Sequence, residues 1–157
     1  MSELIYKAQI LREPRDDEYR ALIETVAPMA ARALLVLGPS PASARARAIV
    51  GQLALALRVS EWRNEWPGTR TTVSRKVNEY ELSKEIIEVL ATAVDGLYEW
   101  VTPNAPEDLA FLRPDGSPIL YVTAHEEEAF IVVDARERDQ IVSASLPIVR
   151  WYDTPAP

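Results

Sequence analysis

The chain has 157 residues, 48% of them hydrophobic and 26% charged, and a formal net charge of −7. This composition is that of a globular protein, and the length allows one domain with its own hydrophobic core. The absence of cysteine excludes disulfides, cysteine-ligated metal sites and thiol nucleophiles. We therefore expect a single domain over residues 1–157.

The sequence predicts neither a secretory signal nor a membrane segment. Residues 1–3 lack the basic and apolar regions with which a signal peptide begins. The most apolar stretches, 29–37 and 49–57, are much shorter than the roughly 20 residues that a membrane helix needs. We therefore expect a cytoplasmic protein that does not bind membranes.

Charge is distributed unevenly along the chain. Residues 40–80 contain seven Lys/Arg and three Asp/Glu, whereas residues 81–140 contain four Lys/Arg and fourteen Asp/Glu. Because the acidic part repels phosphate, nucleic acid is not an expected partner. A protein with a basic surface is the partner that this charge pattern favours.

The N-terminal quarter predicts a strand and a long helix. Residues 4–11 are apolar-rich and predict the strand. Asp16 or Asp17 then caps a helix. Because the apolar spacing keeps its phase across Pro28, the pattern predicts a kinked helix or two abutting helices on one face. The apolar positions of this helix are Leu22, Val26, Met29, Ala33 and Leu37.

The middle of the chain predicts two more helices. Ser40-Pro41 begins the first, which runs to about Trp66 and is expected to be the most buried helix. Residues 71–77 are assigned to a short strand. Residues 81–100 form an amphipathic helix, whose apolar stripe is Leu82, Ile86, Leu90, Ala93 and Leu97.

The C-terminal third predicts a β-meander with strands at 109–113, 118–124 and 128–133. The turn Arg-Pro-Asp-Gly-Ser at 113–117 joins the first two strands. This loop places Phe111 opposite Ile119, and Leu109 opposite Tyr121, on one face. Because both faces are apolar, we expect the sheet to be covered on both sides, or on one side by a partner.

The chain ends with a short helix and an extended segment. Asp134 and Glu137 resemble a capping box that opens a helix to about Ala144, and residues 146–151 return in extended form. The predicted fold class is α+β, with a small, mainly antiparallel sheet, the C-terminal meander, packed against three or four helices.

The only histidine, His125, lies beside Glu126 in an acidic turn. Histidine is the usual proton carrier near neutral pH, but acid–base catalysis needs a second positioned group. The sequence has no second histidine and no His-Glu-x-x-His motif, so no metal site is expected. A solvated turn is the favoured interpretation, ahead of a partner contact and then of catalysis.

Seven carboxylates can gather if the ends of the meander converge. They do not follow the spacing of a calcium loop. A solvated acidic rim is the favoured interpretation, and an acidic docking surface is the alternative. The seven are Glu107, Asp108, Asp115, Glu126, Glu127, Glu128 and Asp134.

Trp62 and Trp66 are four residues apart, near Arg58 and Arg63. Tryptophan and arginine are typical anchors of interfaces, yet a tryptophan pair at helical spacing more often lies in the core.

The sequence has no Gly-x-Ser-x-Gly elbow and no glycine-rich phosphate loop, and we expect no cofactor.

Residues 100–130 contain Pro-Glu-Asp-Leu at 106–109, Asp-Gly at 115–116 and His-Glu at 125–126. In this pattern the segment, about a fifth of the chain, resembles a group of small bacterial and phage proteins connected with toxin-immunity settings. The resemblance implies that Glu107 and His125 take part in function, and it assigns no catalytic role.

Three functions remain open at the level of sequence. The leading one is a non-enzymatic binding protein, such as an immunity or inhibitor protein, that masks a basic partner with an acidic surface. Its candidate contact residues are Glu107, Asp108, His125, Glu126, Glu127, Glu128, Trp62 and Trp66. The alternatives are a small enzyme that uses Asp/Glu with His125, and a self-associating subunit that uses the tryptophans or the second sheet face.

Overall fold

A computed structural model describes residues 4–38, 42–146 and 149–152 of the chain. Its main feature is one eight-stranded sheet, with strand order β3-β4-β2-β5-β6-β7-β1-β8 and antiparallel pairing throughout. The strands are β1 (Tyr6–Ile10), β2 (Arg32–Leu37), β3 (Leu57–Trp66), β4 (Thr69–Glu81), β5 (Glu107–Leu112), β6 (Pro118–Thr123), β7 (Glu128–Val133) and β8 (Val149–Trp151). The predicted α+β class is confirmed, but the sheet is larger than predicted, and the meander β5-β6-β7 forms only part of it.

Four α-helices pack on one face of this sheet, which we call the helix face. They are α1 (Asp17–Val26), α2 (Ala44–Leu53), α3 (Lys84–Ala93) and α4 (Ala135–Ser143). Tyr19 and Trp100 lie at the centre of the core between the helices and the sheet. The Tyr19 hydroxyl donates to the Leu90 carbonyl at 2.6 Å and accepts from the Trp100 indole N–H at 3.0 Å, so both buried polar groups are bonded. None of the helices in the described ranges is long and apolar enough to cross a membrane.

The opposite face of the sheet has a smaller apolar cluster of Leu34, Val36, Trp66, Val77, Ala110 and Leu112. The turn of the β3–β4 hairpin folds across this second face and reaches β6. At Gly68, a Cβ atom would lie 2.8 Å from Thr123 Oγ1 and 3.0 Å from a ring carbon of Tyr121, and its φ is +85°. Glycine is therefore required here both for the turn conformation and for close packing.

The predicted helical structure up to Leu37, as one kinked helix or two abutting helices, is wrong. α1 ends at Val26, a single 3₁₀ turn holds Pro28, and the chain re-emerges as β2. Proline lacks the N–H that the helix would need, and residues 33–36 are all buried, as in a strand covered on both faces. The helical spacing of Ala33 and Leu37 was therefore coincidental.

The predicted helix from Ser40-Pro41 to Trp66 is also wrong. Its start lies outside the described residues, α2 is capped by Ser43 instead, and the second half forms β3. The short strand predicted at 71–77 is the central part of β4. The helix predicted over 81–100 is reduced to α3 and a 3₁₀ turn at Leu97–Glu99.

The meander has the predicted strands but not the predicted register. Phe111 pairs with Leu120, and Ala110 pairs with Tyr121. A bulge at Ile119 adds one residue to β6, and a one-residue shift moves Tyr121 to the face opposite Phe111. The predicted capping box of Asp134 and Glu137 is confirmed at the start of α4. The extended return is confirmed for β8, while residues 147, 148 and 153–157 lie outside the described part of the chain.

Candidate functional site

A β-bulge at the start of β5 shapes the candidate site. Val36 of β2 pairs with Glu107, but Leu34 pairs with Ala110, so β5 has one additional residue in this interval. Asp108 has a φ of 56°, and its N–H donates to the Trp100 carbonyl at 3.1 Å instead of to β2. Aspartate tolerates this left-handed conformation better than most residues. The bulge allows two successive carboxylates, Glu107 and Asp108, to line one cavity.

The Asp108 side chain is buried, with 2% of its surface exposed. Its Oδ2 accepts a hydrogen bond from the Trp66 indole N–H at 3.1 Å, and its Oδ1 accepts one from the Ala124 backbone N–H at 3.1 Å. Burial raises the pKa of Asp108 above its usual range, while these two hydrogen bonds and His125 oppose the rise. Asp108 is thus a buried acid held between two elements.

The cavity beside Asp108 has a volume of about 350 Å³, at the lower end of the range found for ligand sites. It lies between the tip of the β3–β4 hairpin, the bulge of β5 and the 3₁₀ turn Ala124–Glu126. Ten residues line it: Trp66, Gly68, Thr69, Arg70, Thr71, Arg75, Glu107, Asp108, His125 and Glu126. Five of these, Trp66, Glu107, Asp108, His125 and Glu126, are sequence-predicted contact residues.

The other three predicted contact residues lie elsewhere. Trp62 lies on the edge strand β3 with 68% of its surface exposed, and the Lys76 ammonium lies 5.6 Å from the centre of its ring. Glu127 and Glu128 are exposed: Glu127 precedes β7, and Glu128 is its first residue. Together with Glu13 they add to the effect of burial that raises the pKa of Tyr98 to about 12.

The two tryptophans therefore differ, and the core position expected for the pair is confirmed for Trp66 and wrong for Trp62. Trp66 is buried in the second-face cluster, whereas Trp62 is exposed on the helix face of the sheet beyond the helices. A bulge between Arg63 and Glu65 changes the alternation of β3, which places the two rings on different sides.

Two other predicted carboxylates have structural roles: Asp115 accepts from the Ser117 N–H at 2.9 Å, and Asp134 caps α4.

The sequence analysis missed the residues that β4 contributes to the cavity wall. The sequence predicts a helix that ends at about Trp66 and a short strand at 71–77, so Thr69 falls between the two elements and Arg75 falls within the short strand. The signal that points to them is the run at 69–77, which is rich in threonine and valine and therefore typical of a strand. Nothing in the sequence indicates that the hairpin folds back over β5 and β6.

Hydrogen-bond acceptors and donors lie close together at the cavity. Glu107 Oε1 accepts from the Thr102 hydroxyl at 2.6 Å, and His125 Nε2 lies 3.8 Å from Glu126 Oε1. Across the described ranges, no three side chains of the metal-ligating types come together as a metal site.

No protein-family model, curated protein or solved structure matches this chain.

Proposed function

We propose that this chain is a non-enzymatic binding protein that engages a basic protein partner at the cavity beside Asp108. The observation that supports the proposal is convergence: residues 66, 107–108 and 125–126, distant in sequence, line one cavity. Three carboxylates and two arginines, Arg70 and Arg75, line this space. Arg70 is already paired with Glu65, so negative charge is in excess and a cationic side chain is the complementary ligand. The exposed Glu127 and Glu128 extend the acidic surface next to it.

The ion pairs of the described residues support this choice of ligand. Most glutamates outside the cavity pair with an arginine, as Glu79 does with Arg32 and Arg63. In contrast, Glu107, Asp108 and Glu126 form no ion pair with a lysine or arginine in the part of the chain that the structure describes. A partner's lysine or arginine would supply the charge that the fold itself does not.

The experiment that tests this proposal is a titration with short basic peptides, followed by amide and side-chain NMR shifts. We expect peptides with lysine or arginine to shift the signals of the Trp66 indole and of residues 107–108, and acidic peptides to have no effect. Glu107→Gln and Glu126→Gln should each weaken binding several-fold and reduce its salt dependence. Glu88→Gln, an exposed change on α3, is the matched control and should leave binding unchanged.

An immunity or inhibitor role is the biological setting that we propose for this binding, on the basis of the resemblance of residues 100–130. It requires a macromolecular partner with a basic active surface. Affinity purification from the native host should recover one such protein with the wild-type chain. The same purification with the Glu107→Gln, Glu126→Gln double variant should lose it, and recovery by both chains would contradict this role for the cavity.

One observation favours a second candidate function, a small enzyme. A buried aspartate with a raised pKa beside a histidine and a second carboxylate is an arrangement that can donate and accept protons. In this function Asp108 would act as the acid and His125 or Glu107 as the base. Hydrolysis of glycoside, ester or phosphate reporter substrates that is lost in Asp108→Asn would establish it over the binding function.

A further inference from the structure

The outer edge of β3 is the longer of the two open edges of the sheet. One side of this ten-residue strand pairs with β4, and no strand in the described part of the chain pairs with the other side. The strand at the opposite end of the sheet, β8, has only three residues. Seven of the ten residues of β3 are exposed. Alternate backbone N–H and C=O groups along this edge are therefore open to pairing with a further strand.

Open edges are usually blocked by proline, lysine or a bulge. β3 contains neither proline nor lysine, and its two bulges leave residues 59–63 in regular pairing with β4. The charges of the strand sum to zero, so they do not repel a second strand of the same composition. The charged residues are Arg58, Glu61, Arg63 and Glu65.

Trp62 is the large apolar side chain at the centre of this edge. Its ring is exposed on the helix face, where the Lys76 ammonium is its neighbour. Glu61 and Arg63 flank it on the second face, since Glu61 pairs with Val77 of the second-face cluster and forms an ion pair with Arg63. A tryptophan in this position is typical of the anchor of an interface.

The charges beside Trp62 select one way of pairing β3 with a second copy of itself. Two copies can pair antiparallel around a two-fold axis perpendicular to the sheet, and the residue on the axis then lies opposite itself. An axis at Glu61 or Arg63 places like charges directly opposite each other, which is unfavourable. An axis at Val59 or Ser60 places no opposite charges together. Within 59–63, only an axis at Trp62 places Glu61 of each copy opposite Arg63 of the other.

We propose that this protein forms a symmetric dimer through β3, with Trp62 on the two-fold axis. The backbone hydrogen bonds of the new strand pair join the two sheets into one continuous sheet. The paired charges fix the register, and the two indole rings pack against each other on the helix face. Because one strand pair buries little surface, we expect a weak dimer that dissociates in the micromolar range. The inference does not depend on the cavity beside Asp108 or on its ligand.

The first test uses charge reversal, with the dimer measured by sedimentation over micromolar to millimolar concentrations. Glu61→Arg and Arg63→Glu each place like charges opposite each other, and symmetry counts each pair twice. Each variant alone should raise the dissociation constant about tenfold or more. An equal mixture of the two variants restores both opposite-charge pairs, so a heterodimer should form with the affinity of the wild type. Glu88→Arg, the same change on the exposed side of α3, is the matched control and should dimerise like the wild type.

The second test does not require Arg63, which also pairs with Glu79 within the chain. The wild-type protein contains no cysteine, so Trp62→Cys introduces a single thiol on the proposed axis. Residues directly opposite in an antiparallel pair have Cα atoms about 4.5–5.5 Å apart, which is within reach of a disulfide. Mild oxidation of Trp62→Cys should give a covalent dimer, whereas Glu88→Cys should stay monomeric under the same conditions.

A wild-type protein that stays monomeric over the whole concentration range would overturn the inference. A dimer that Glu61→Arg does not weaken would place the interface elsewhere on the molecule. If the two folded charge variants do not associate when mixed, the register around Trp62 is wrong. Equal cross-linking of Trp62→Cys and Glu88→Cys would contradict it as well.

Discussion

The indole N–H of Trp66 donates a hydrogen bond to the buried carboxylate of Asp108 at 3.1 Å, across 42 positions of sequence. This contact joins the end of β3 to the bulge of β5, two strands that are not neighbours in the sheet. Consequently the position of the hairpin tip and the ionisation of the acid depend on each other, and the cavity exists only when both are in place.

Replacement of Trp66 by phenylalanine removes the donor but keeps an aromatic ring in the second-face cluster. We expect the free energy of unfolding at neutral pH to fall by about 1.5–3 kcal/mol, as for other hydrogen bonds to charged groups. The pKa of Asp108 should rise further, because this hydrogen bond favours the carboxylate. Denaturant unfolding and NMR titration of the side-chain carboxyl carbon measure the two effects.

Trp62→Phe is the matched control for this change, because the Trp62 ring is exposed. It should alter stability by less than about 0.5 kcal/mol. Equal losses in both variants would contradict a specific role for the Trp66 contact.

The pH dependence of stability should carry the signature of Asp108. Its pKa is raised in the folded state above the value of about 3.9 for an unfolded chain, so the folded state binds more protons between the two values. The Asp108 contribution to stability is therefore fully present below the unfolded pKa and is lost as pH rises through the folded pKa. Unfolding measured at successive pH values should show this fall in the wild type and not in Asp108→Asn.

Asp115 provides a control of opposite sign. Hydrogen bonds from Ser117 lower its pKa, so its contribution is present above the unfolded pKa and is lost as pH falls through the folded value. Asp115→Asn should remove that component and leave the Asp108 component in place. A wild-type profile that Asp108→Asn does not change would contradict a perturbed acid at this position.

Gly68→Ala should displace the hairpin tip from the second face. A methyl group at this position meets Thr123 and Tyr121 at 3.0 Å or closer, and the φ of +85° is unfavourable for alanine. We expect a loss of about 1–3 kcal/mol in the free energy of unfolding and faster hydrogen exchange at the amides of residues 66–70.

Gly51→Ala is the matched control, since it places the same methyl group on α2, where it meets no atom within 4 Å beyond its chain neighbours and its own helix backbone. Removal of a helix-interior glycine should stabilise the protein by about 0.5–1 kcal/mol. Equal effects of the two changes would show that the hairpin tip does not pack against β6.

The two faces of the meander should respond differently to truncation. Phe111 is fully buried in the core under the helices, so Phe111→Ala should destabilise the protein by about 3–5 kcal/mol. Tyr121 is only half-buried on the second face, where its ring centre lies 5.5 Å from that of Phe130, and Tyr121→Ala should cost less. Thermal melting of both variants measures the difference, and equal losses would contradict the bulge at Ile119.

Local sequence determined the elements whose signals lie within a few residues of each other. The capping box at Asp134 and Glu137 and the turn at 113–117 depend on hydrogen bonds between near neighbours, so residue types and spacing were enough to predict them. Sequence also grouped Glu107, Asp108, His125 and Glu126 as candidate contact residues. The grouping needed only the expectation that the ends of the meander strands lie close together.

Only the tertiary structure decided on which face of the sheet each side chain lies. It also decided which residues of β4 line the cavity beside Asp108. The helical spacing of Val59, Trp62 and Trp66 resembles an amphipathic helix, but pairing with β4 makes this segment a strand, and a bulge separates the two rings. Thr69 and Arg75 line the same cavity as the carboxylates only because the hairpin folds over β5 and β6. Strand pairing and bulges depend on residues far apart in the chain, so local periodicity does not contain them.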